Sequence, residues 1–312
     1  MTKKFALNFL LLITVCSVLF TACSEAVPTA VLHEINDIGY IPYTSDEANI
    51  KIASKQAFVY DVEKEMFIYK KGSENIIYPA STTKLLTVLY ALTLLNLDEV
   101  VTPGNELELV APDSSIAYIK SHHSLTVEML IEGMLLPSGN DAAYVLAAAA
   151  GKVLAENNNI DGKSAVSLFL DGMNKYALDI GLCGSNFTSP DGYYAPLHYT
   201  TLEDIALVSV MASQTDIISK YSRLHSDNVI YASGHSNRWV NTNLMLDPES
   251  IYYCPYVTGL KTGSAGEGNY SLIITVDLDD GREYIIGIFS SQNKNERYAD
   301  ALTIIDYLVK NS

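Results

Sequence analysis

The spacing of apolar residues divides the chain into regions with strand-like and regions with helical patterns. Near residue 57, short apolar runs predict two strands, over 57–60 and 66–69, joined by a charged turn. Helical spacing follows, and it predicts helices over 82–95, 126–136, 141–155, 165–180 and 202–212. From residue 256 onward, β-branched and aromatic runs predict strands, and a DDG turn separates the last two runs. A final helix is predicted over 297–309.

Strands at both ends of a helical middle predict an α+β fold. We expect one mostly antiparallel sheet that is assembled from both chain ends, with a helical lobe inserted between them. Binding sites tend to lie between such lobes, so the cleft between sheet and helices is where we expect function.

The first 22 residues predict an export signal rather than part of the fold. Lys3 and Lys4 precede the apolar run FALNFLLLITVCSVLFTA, which ends at Cys23. The junction LFTAC resembles a bacterial lipobox, so we expect Cys23 to be lipidated and to become the first mature residue, although Phe20 is larger than the usual aliphatic residue. The alternative is an uncleaved anchor, because the run approaches membrane-spanning length. Residues 23–49 are then a linker, and 50–312 a single domain of two lobes outside the cell membrane.

Composition narrows the kinds of partner. The 312 residues are 48% hydrophobic, which is enough for a large core. Twenty basic residues against 36 acidic ones give a net charge of −16, which argues against nucleic acid or anionic lipid as the main partner. Beyond the N-terminal region only Cys183 and Cys254 remain, and nothing in the local sequence pairs them; we expect two free thiols.

No cofactor or metal site is predicted from local spacing. The chain contains no HExxH or CxxC pattern. The adjacent residues His122 and His123 are expected to lie in a loop that leads into a helix.

Three short motifs carry reactive side chains. STTK places Ser81 and Lys84 one helical turn apart, with the serine among residues that often start a helix. SGN contains Ser138 and Asn140, and KTG begins at Lys261. Each motif is short enough to arise by chance.

Chance matches do occur in this chain, and context separates them from the set above. Ser291 and Lys294 repeat the SxxK spacing, but they follow a predicted strand and precede no apolar helix. Ser226 and Asn228 repeat SxN but lie close before KTG, whereas Ser138 lies at a turn inside the helical lobe. We therefore favour Ser138 as the SxN serine.

The segments around the motifs are YPASTTKLLT, LLPSGNDAA, GSNFTSPDGYY, HYTTLEDIA and VTGLKTGSAGEGNYSL. The motif order is the signature of penicillin-binding proteins and class A β-lactamases. Over about residues 54–308 the chain resembles the D-alanyl-D-alanine carboxypeptidases, the low-molecular-weight penicillin-binding proteins. The resemblance implies a DD-peptidase/serine β-lactamase-like fold and, for 50–312, a catalytic domain without the C-terminal β domain or amphipathic anchor of many members. Ser189, Asp191 and Tyr193 replace an asparagine, a histidine and a leucine of the family pattern, so the substrate rim is expected to differ.

The resemblance implies a nucleophile and two proton carriers. Ser81 would attack the peptide carbonyl between two D-alanines and form an acyl-enzyme, and Lys84 would take the hydroxyl proton. A lysine has a pKa near ~10.4, so this role needs a lowered pKa. Burial alone can supply that shift, and a second cation nearby would help; the family pattern places Lys261 as that cation. Ser138 would pass a proton to the leaving amine. Asn140 would orient Lys84 and the substrate amide.

The resemblance also implies substrate-binding groups on the last strands. Lys261 and Thr262 would receive the terminal carboxylate, and Gly263 would leave the strand edge open to pair with the peptide. The backbone N–H groups of Ser81 and Ser264 would form the oxyanion hole. Expected partners are the peptidoglycan stem peptide and, as covalent inhibitors, β-lactams, with membrane contact only through the N-terminal lipid.

Other functions on the same sequence stay open. A class A β-lactamase needs a glutamate in an ExxLN pattern, and no glutamate here is followed four residues later by asparagine. We therefore expect penicillin to stay bound for a long time. A DD-endopeptidase would use the same groups on a larger substrate, and a non-catalytic cell-wall-binding lipoprotein would keep the fold without the activity.

Overall fold

The computed structural model describes residues 50–73 and 75–311. The predicted signal segment, Cys23 and the predicted linker over 23–49 lie outside these residues. No helix among the described residues is both long and apolar enough to cross a membrane. The described strands are β1 (Gln56–Asp61), β2 (Met66–Lys71), β3 (Val100–Val101), β4 (Leu125–Thr126), β5 (Ser226–Ile230), β6 (Ser236–Val240), β7 (Lys261–Ser264), β8 (Tyr270–Asp277) and β9 (Glu283–Ser291).

Helices fill the middle of the chain and close its end. The α-helices are α1 (Thr83–Ala91), α2 (Val127–Leu135), α3 (Asn140–Leu154), α4 (Gly162–Asp179), α5 (Leu202–Ser213), α6 (Asp216–Ser222) and α7 (Glu296–Lys310). Short 3₁₀-helices cover Ala80–Thr82, Asn105–Leu109 and Leu244–Leu246.

The main sheet joins the two ends of the chain. Its five strands run in the order β2-β1-β9-β8-β7, and every neighbouring pair is antiparallel. Phe58 on β1 lies opposite Gly287 on β9, where a Cβ atom would come within 2.1 Å of the phenyl ring. The glycine therefore makes room for an aromatic side chain at the centre of the sheet. The predicted α+β fold with a sheet from both ends is confirmed.

Apolar side chains cover both faces of this sheet. On one face α7 contributes Tyr298, Ala301 and Ile304, all fully buried. The other face packs against the helical lobe, in which α3 is buried along most of its length. Helices α3 and α4 approach so closely that a Cβ at Gly151 would lie 1.9 Å from the carbonyl oxygen of Ala165. Burial on both faces explains why β1 has no exposed residue.

Several predicted boundaries and one predicted role need correction. The first helix ends at Ala91 rather than 95, and Ser81 is not its N-cap: Ser81 lies in the 3₁₀ turn before it, and the N-cap residue Thr82 makes no side-chain capping bond. The strand predicted from 256 begins only at Lys261. Helix α6 and the β5–β6 hairpin were not predicted. Cys183 and Cys254 are not joined by a disulfide, as expected.

Candidate active site

Ser81 and Lys84 meet at the junction between a tight turn and a helix. Ser81 lies in the 3₁₀ turn, and Lys84 lies in the first turn of α1. Their side chains are joined, with Lys84 Nζ 2.9 Å from Ser81 Oγ. Ala80 just before them has a φ of 50°, and a Cβ at Gly192 would lie 1.8 Å from its carbonyl oxygen. The glycine lets a neighbouring loop hold this strained turn in place.

The Lys84 amine is fully buried and fully hydrogen bonded. Besides Ser81, it donates to Asn140 Oδ1 at 2.8 Å and to the carbonyl oxygen of Asp191 at 2.9 Å. Burial lowers its pKa to about 8, although the charges of Asp191 and Asp141 oppose this shift. A minor share of Lys84 is therefore neutral at pH 7, far more than for an exposed lysine. A neutral amine has a lone pair that accepts the proton of the Ser81 hydroxyl.

Lys261 is close enough to Lys84 for their charges to interact, as expected for a second cation in the site. Burial, the charge of Lys84 and the charge of Arg297 lower the pKa of Lys261 well below its ordinary value. The same repulsion disfavours the protonated form of Lys84. Lys261 Nζ donates to Ser138 Oγ at 2.8 Å and to the carbonyl oxygen of Thr262 at 3.0 Å. The site thus contains a second serine–lysine pair, which joins the sheet to the helical lobe.

The helical lobe positions Ser138 in the turn between α2 and α3, and Asn140 as the first residue of α3. Ser138 has a φ of 61°, a conformation that few non-glycine residues adopt. Asn140 Nδ2 donates to Ser114 Oγ at 2.9 Å, and its backbone N–H donates to the carbonyl oxygen of Ser115 at 2.8 Å. Next to it, the buried carboxylate of Asp141 accepts the backbone N–H of Ala117 at 2.8 Å. Sequence analysis missed Asp141, which fastens the loop containing Ser114 and Ser115 to the start of α3.

The sheet contributes its edge strand β7. Thr262 Oγ1 lies 2.6 Å from Thr242 Oγ1. A Cβ at Gly263 would come 3.0 Å from the carbonyl oxygen of Pro79, so a larger residue would push β7 away from the turn of Ser81. β7 ends the sheet order, which leaves one of its edges without a strand partner in this sheet.

Arg297 at the start of α7 is a further cation that sequence analysis missed. It is buried, and its Nη1 donates to the carbonyl oxygens of Gly263 and Ser271, both at 2.8 Å. Among the described residues its Nε has no hydrogen-bond partner. From the sequence, one arginine on an amphipathic terminal helix gave no signal of burial.

The residues at which this chain departs from the family pattern bond to each other. Ser189 Oγ donates to Asp191 Oδ1 at 2.6 Å, and the N–H of Tyr193 donates to the same oxygen at 3.0 Å. The N–H of Gly192 donates to Ser189 Oγ at 3.1 Å. This local network holds the loop whose carbonyl at Asp191 accepts from Lys84.

The cleft has two halves that share Ser81, Ser115 and Ser264 in their walls. Lys294 and Arg297 line the first half, while Asp113 lines the second. Tyr193 Oη donates to Asp113 at 3.0 Å in the second half. The first half is lined by Ser81, Ser115, Ser138, Thr242, Leu244, Thr262, Gly263, Ser264, Tyr270, Lys294 and Arg297. The two halves therefore differ in charge, with cations on one side of Ser81 and a carboxylate on the other.

The structure brings the predicted residues together around this cleft. Of the chance matches, Ser291 and Ser226 lie away from it, whereas Lys294 lines its first half. The assembled set is Ser81, Lys84, Ser138, Asn140, Lys261, Thr262, Gly263 and Ser264. Ser291 is fully buried, with its Oγ 2.7 Å from Ser54 Oγ. Ser226 accepts from Arg238 on the β5–β6 hairpin and lines neither half of the cleft.

A serine hydroxyl next to a buried lysine of lowered pKa, with a second hydroxyl and cations beside it, is the arrangement of a serine acyl-transfer enzyme. Comparison with known proteins agrees with this class. Residues 43–289 match the D-alanyl-D-alanine carboxypeptidase family, and the chain belongs to that family.

Curated relatives match part of the chain. The chain is 26% identical over 190 residues to the D-alanyl-D-alanine carboxypeptidase DacF of Bacillus subtilis, covering 61% of this chain and 44% of the relative. It is 29% identical over 199 residues to the D-alanyl-D-alanine carboxypeptidase of Streptomyces strain K15, covering 62% of this chain and 64% of that one. The chain thus spans about half to two thirds of the length of these relatives.

Solved structures match the fold more completely. The crystal structure of the Streptomyces K15 DD-transpeptidase superposes with a TM-score of 0.73 at 27% identity, covering 82% of this chain and 97% of that chain. The D-alanyl-D-alanine carboxypeptidase of Mycobacterium tuberculosis superposes with a TM-score of 0.70 at 21% identity, covering 86% and 96%. Both confirm the predicted DD-peptidase fold.

Proposed function

We propose that this chain is a serine-type D-Ala-D-Ala carboxypeptidase, which removes the terminal D-alanine from peptidoglycan stem pentapeptides through an acyl-enzyme on Ser81. The observation that carries the proposal is the 2.9 Å contact between Ser81 Oγ and the amine of Lys84, which is fully buried. Burial lowers the pKa of Lys84 to about 8, so an amine that is normally protonated is available as a base near neutral pH.

Acylation follows from this geometry. Neutral Lys84 takes the Ser81 proton while Ser81 Oγ attacks the carbonyl carbon between the two D-alanines. The negative oxygen of the tetrahedral intermediate is stabilised by the N–H groups of Ser81 and Ser264. The carbon–nitrogen bond then breaks, and the proton that Lys84 took from Ser81 passes through the Ser138 hydroxyl to the leaving amine, which leaves Lys84 neutral again. Lys261, 2.8 Å from Ser138 Oγ, holds that hydroxyl in place. Water later attacks the ester and releases the shortened peptide.

The charge difference between the cleft halves suggests how the substrate lies. The terminal carboxylate of D-alanyl-D-alanine fits the first half, where Thr262 and Arg297 line the wall and Lys261 is adjacent. The stem peptide extends through the second half past Tyr193 and Asp113. Along this path the peptide backbone pairs with the open edge of β7, which Gly263 keeps free of a side chain.

Two assays on the purified chain test the proposal. Fluorescent penicillin should label the wild type, and Ser81→Ala should show no label because the ester cannot form. Ser291→Ala is the matched control, since it removes the serine of the other SxxK sequence, and it should label normally below its melting temperature. The wild type should release D-alanine from a stem pentapeptide and Ser81→Ala should not. Equal labelling of wild type and Ser81→Ala would contradict the proposal.

Transpeptidation is a second candidate function. The Streptomyces K15 structure, which covers 82% of this chain, is described as a DD-transpeptidase. The same acyl-enzyme would then pass to an amine in place of water. Adding glycine as acceptor to the pentapeptide assay separates the two: a glycyl product at the expense of hydrolysis indicates transpeptidation, and its absence indicates a carboxypeptidase.

A β-lactamase activity has less support. Among the described residues, no glutamate lines either half of the cleft, so no carboxylate of that type is positioned to activate water. We expect the penicilloyl ester on Ser81 to persist for many minutes. Rapid turnover of a chromogenic cephalosporin would contradict this.

We also propose that the protein acts outside the cytoplasm, attached to the outer face of a bacterial membrane through a lipid on Cys23. The apolar N-terminal segment and the LFTAC junction support this. Mass spectrometry of the mature N-terminus tests it: a diacylglyceryl adduct on Cys23 is expected, whereas an intact N-terminus starting at Met1 would indicate an uncleaved anchor.

A further inference from the structure

Three histidines that the proposed reaction does not use lie side by side on two turns. His122 and His123 precede β4, and His235 lies in the turn between β5 and β6. The ring centroids are 4.5 Å apart for His122 and His123, 4.5 Å for His123 and His235, and 5.1 Å for His122 and His235. One nitrogen of each ring lies within 4.8 Å of the others. We call these residues the three-histidine cluster.

Hydrogen bonds already fasten the two turns to each other. The N–H of Ser233 donates to the carbonyl oxygen of Ser124 at 3.3 Å, and the N–H of Ser124 donates to Ser233 Oγ at 3.1 Å. The same Ser233 Oγ lies 3.2 Å from His235 Nδ1. Histidines that bind metals commonly donate their other N–H to an oxygen, which fixes the ring. Ser233 offers that oxygen to His235 Nδ1 and leaves Nε2 for a ligand.

The cluster combines one buried ring with two exposed ones. His123 is buried, and its Nδ1 accepts the N–H of Lys120 at 3.2 Å, the long end of the hydrogen-bond range. His122 and His235 are exposed, so packing leaves room for their rings to adjust, and His235 can do so while its Nδ1 keeps the contact with Ser233 Oγ. Zinc–nitrogen bonds of about 2.0–2.1 Å need ligand nitrogens roughly 3.3 Å apart. Rotation of the two exposed rings closes that gap, while His123 gives up its long bond to Lys120 or turns to offer Nε2.

We propose that the three-histidine cluster is a binding site for a divalent transition-metal ion, with Zn²⁺ as its ligand and water in the fourth position. Neutral imidazoles suit Zn²⁺, Cu²⁺ and Ni²⁺, whereas Mg²⁺ and Ca²⁺ prefer oxygen ligands. Bound metal joins the turn before β4 to the β5–β6 hairpin. The absence of a local metal motif does not argue against the site, because His235 comes from a distant part of the chain.

The single tryptophan provides a readout that is independent of enzyme activity. Trp239 on β6 is the only tryptophan in the sequence. Its ring lies 5.9 Å from that of Tyr231, which in turn lies 5.0 Å from that of His123. Cu²⁺ bound at the cluster therefore quenches Trp239 fluorescence from close range.

The test uses the full chain purified without a polyhistidine tag. Titration with CuCl₂ should quench Trp239 with saturation at one equivalent, and excess ZnCl₂ should reverse the quenching by competition. ZnCl₂ at about 100 times its Kd should raise the melting temperature by roughly 5 °C, and EDTA should remove this rise. MgCl₂ should neither quench Trp239 fluorescence nor raise the melting temperature.

Variants decide whether these effects belong to the cluster. The double substitution His122→Ala and His235→Ala changes only exposed side chains, and it should weaken Cu²⁺ quenching at least tenfold while the metal-free melting temperature stays within about 2 °C. His225→Ala, which removes a histidine outside the cluster, should leave Cu²⁺ binding unchanged. Equal saturable quenching in the double variant and the wild type would overturn the proposal, and so would the lack of any one-equivalent binding in the wild type.

Discussion

The two serine–lysine pairs of the cleft have the same contact but opposite electrical surroundings. In the first, Lys84 lies 2.9 Å from Ser81 within one turn of chain, and the charges of Asp191 and Asp141 favour its protonated form. In the second, Lys261 lies 2.8 Å from Ser138 across two lobes, and the charge of Lys84 disfavours its protonation. From this comparison we expect the two pairs to have different roles, with the first exchanging a proton near neutral pH and the second binding an anionic group of the ligand.

The largest effect on the acylation rate should come from removing the amine of Lys84. We expect Lys84→Met to slow acylation by benzylpenicillin about 10³-fold, because a positioned general base contributes roughly 10²–10⁴. Stopped-flow measurement of the acylation rate checks this. Lys163→Met, at an exposed lysine paired with Glu108, is the control and should leave the rate within about twofold. A Lys84→Met rate near that of the wild type would remove Lys84 as the base.

Removing the amine of Lys261 should slow acylation mainly by ligands that carry a negative charge. We expect Lys261→Met to slow acylation by benzylpenicillin about 10²-fold, since it removes a buried positive partner for the carboxylate. Against the methyl ester of the same penicillin, which lacks that charge, the loss should be less than about tenfold. Acylation rates measured for both compounds test this. An equal loss for acid and ester would show that Lys261 does not recognise the carboxylate.

A smaller effect should appear in the pH dependence of stability. The folded-state pKa of Lys84 is about 8, below its ordinary value of 10.5, so the unfolded state binds more protons between these values and stability rises with pH. From pH 7.5 to 10, the free energy of unfolding of the wild type should gain roughly 2 kcal/mol relative to Lys84→Met. Urea unfolding of both proteins at the two pH values measures it. If the free energy of unfolding of the two proteins changes with pH in the same way, the pKa of Lys84 is not lowered in the folded state.

The sequence predicted well those helices and strands that have a clear apolar period and clear end signals. The strands near 57 and 66 and the last helix appear with shifts of at most two residues, because each combines a clear apolar period with strong end signals. The β5–β6 hairpin was missed because its strands alternate weakly and only Val229 and Trp239 are buried in them. Its stability comes from tertiary contacts, such as the 3.0 Å bond from Trp239 to the carbonyl oxygen of Ala117.

The sequence predicted the motif residues of the site but not the residues from distant segments that lie around them. Ser81, Lys84, Ser138 and Lys261 carry recognisable spacing, and the structure brings them together; their catalytic roles stay predictions. Asp141, Arg297 and the third histidine of the cluster carry no local signal, since their importance depends on what distant segments place beside them. Burial of an arginine or a carboxylate is a property of the fold rather than of the residue's neighbours in sequence.

The pairing of β1 with β9 along the whole of β1 has a consequence for timing. Synthesis proceeds from the N-terminus, so Ser81 and Lys84 are made long before β7, β9 and Arg297. Until those last strands arrive, the sheet lacks its centre and the cleft lacks a wall. A nascent or truncated chain that lacks these strands therefore has Ser81 and Lys84 but no complete cleft, and the proposed reaction becomes possible only after β7, β9 and Arg297 have been made.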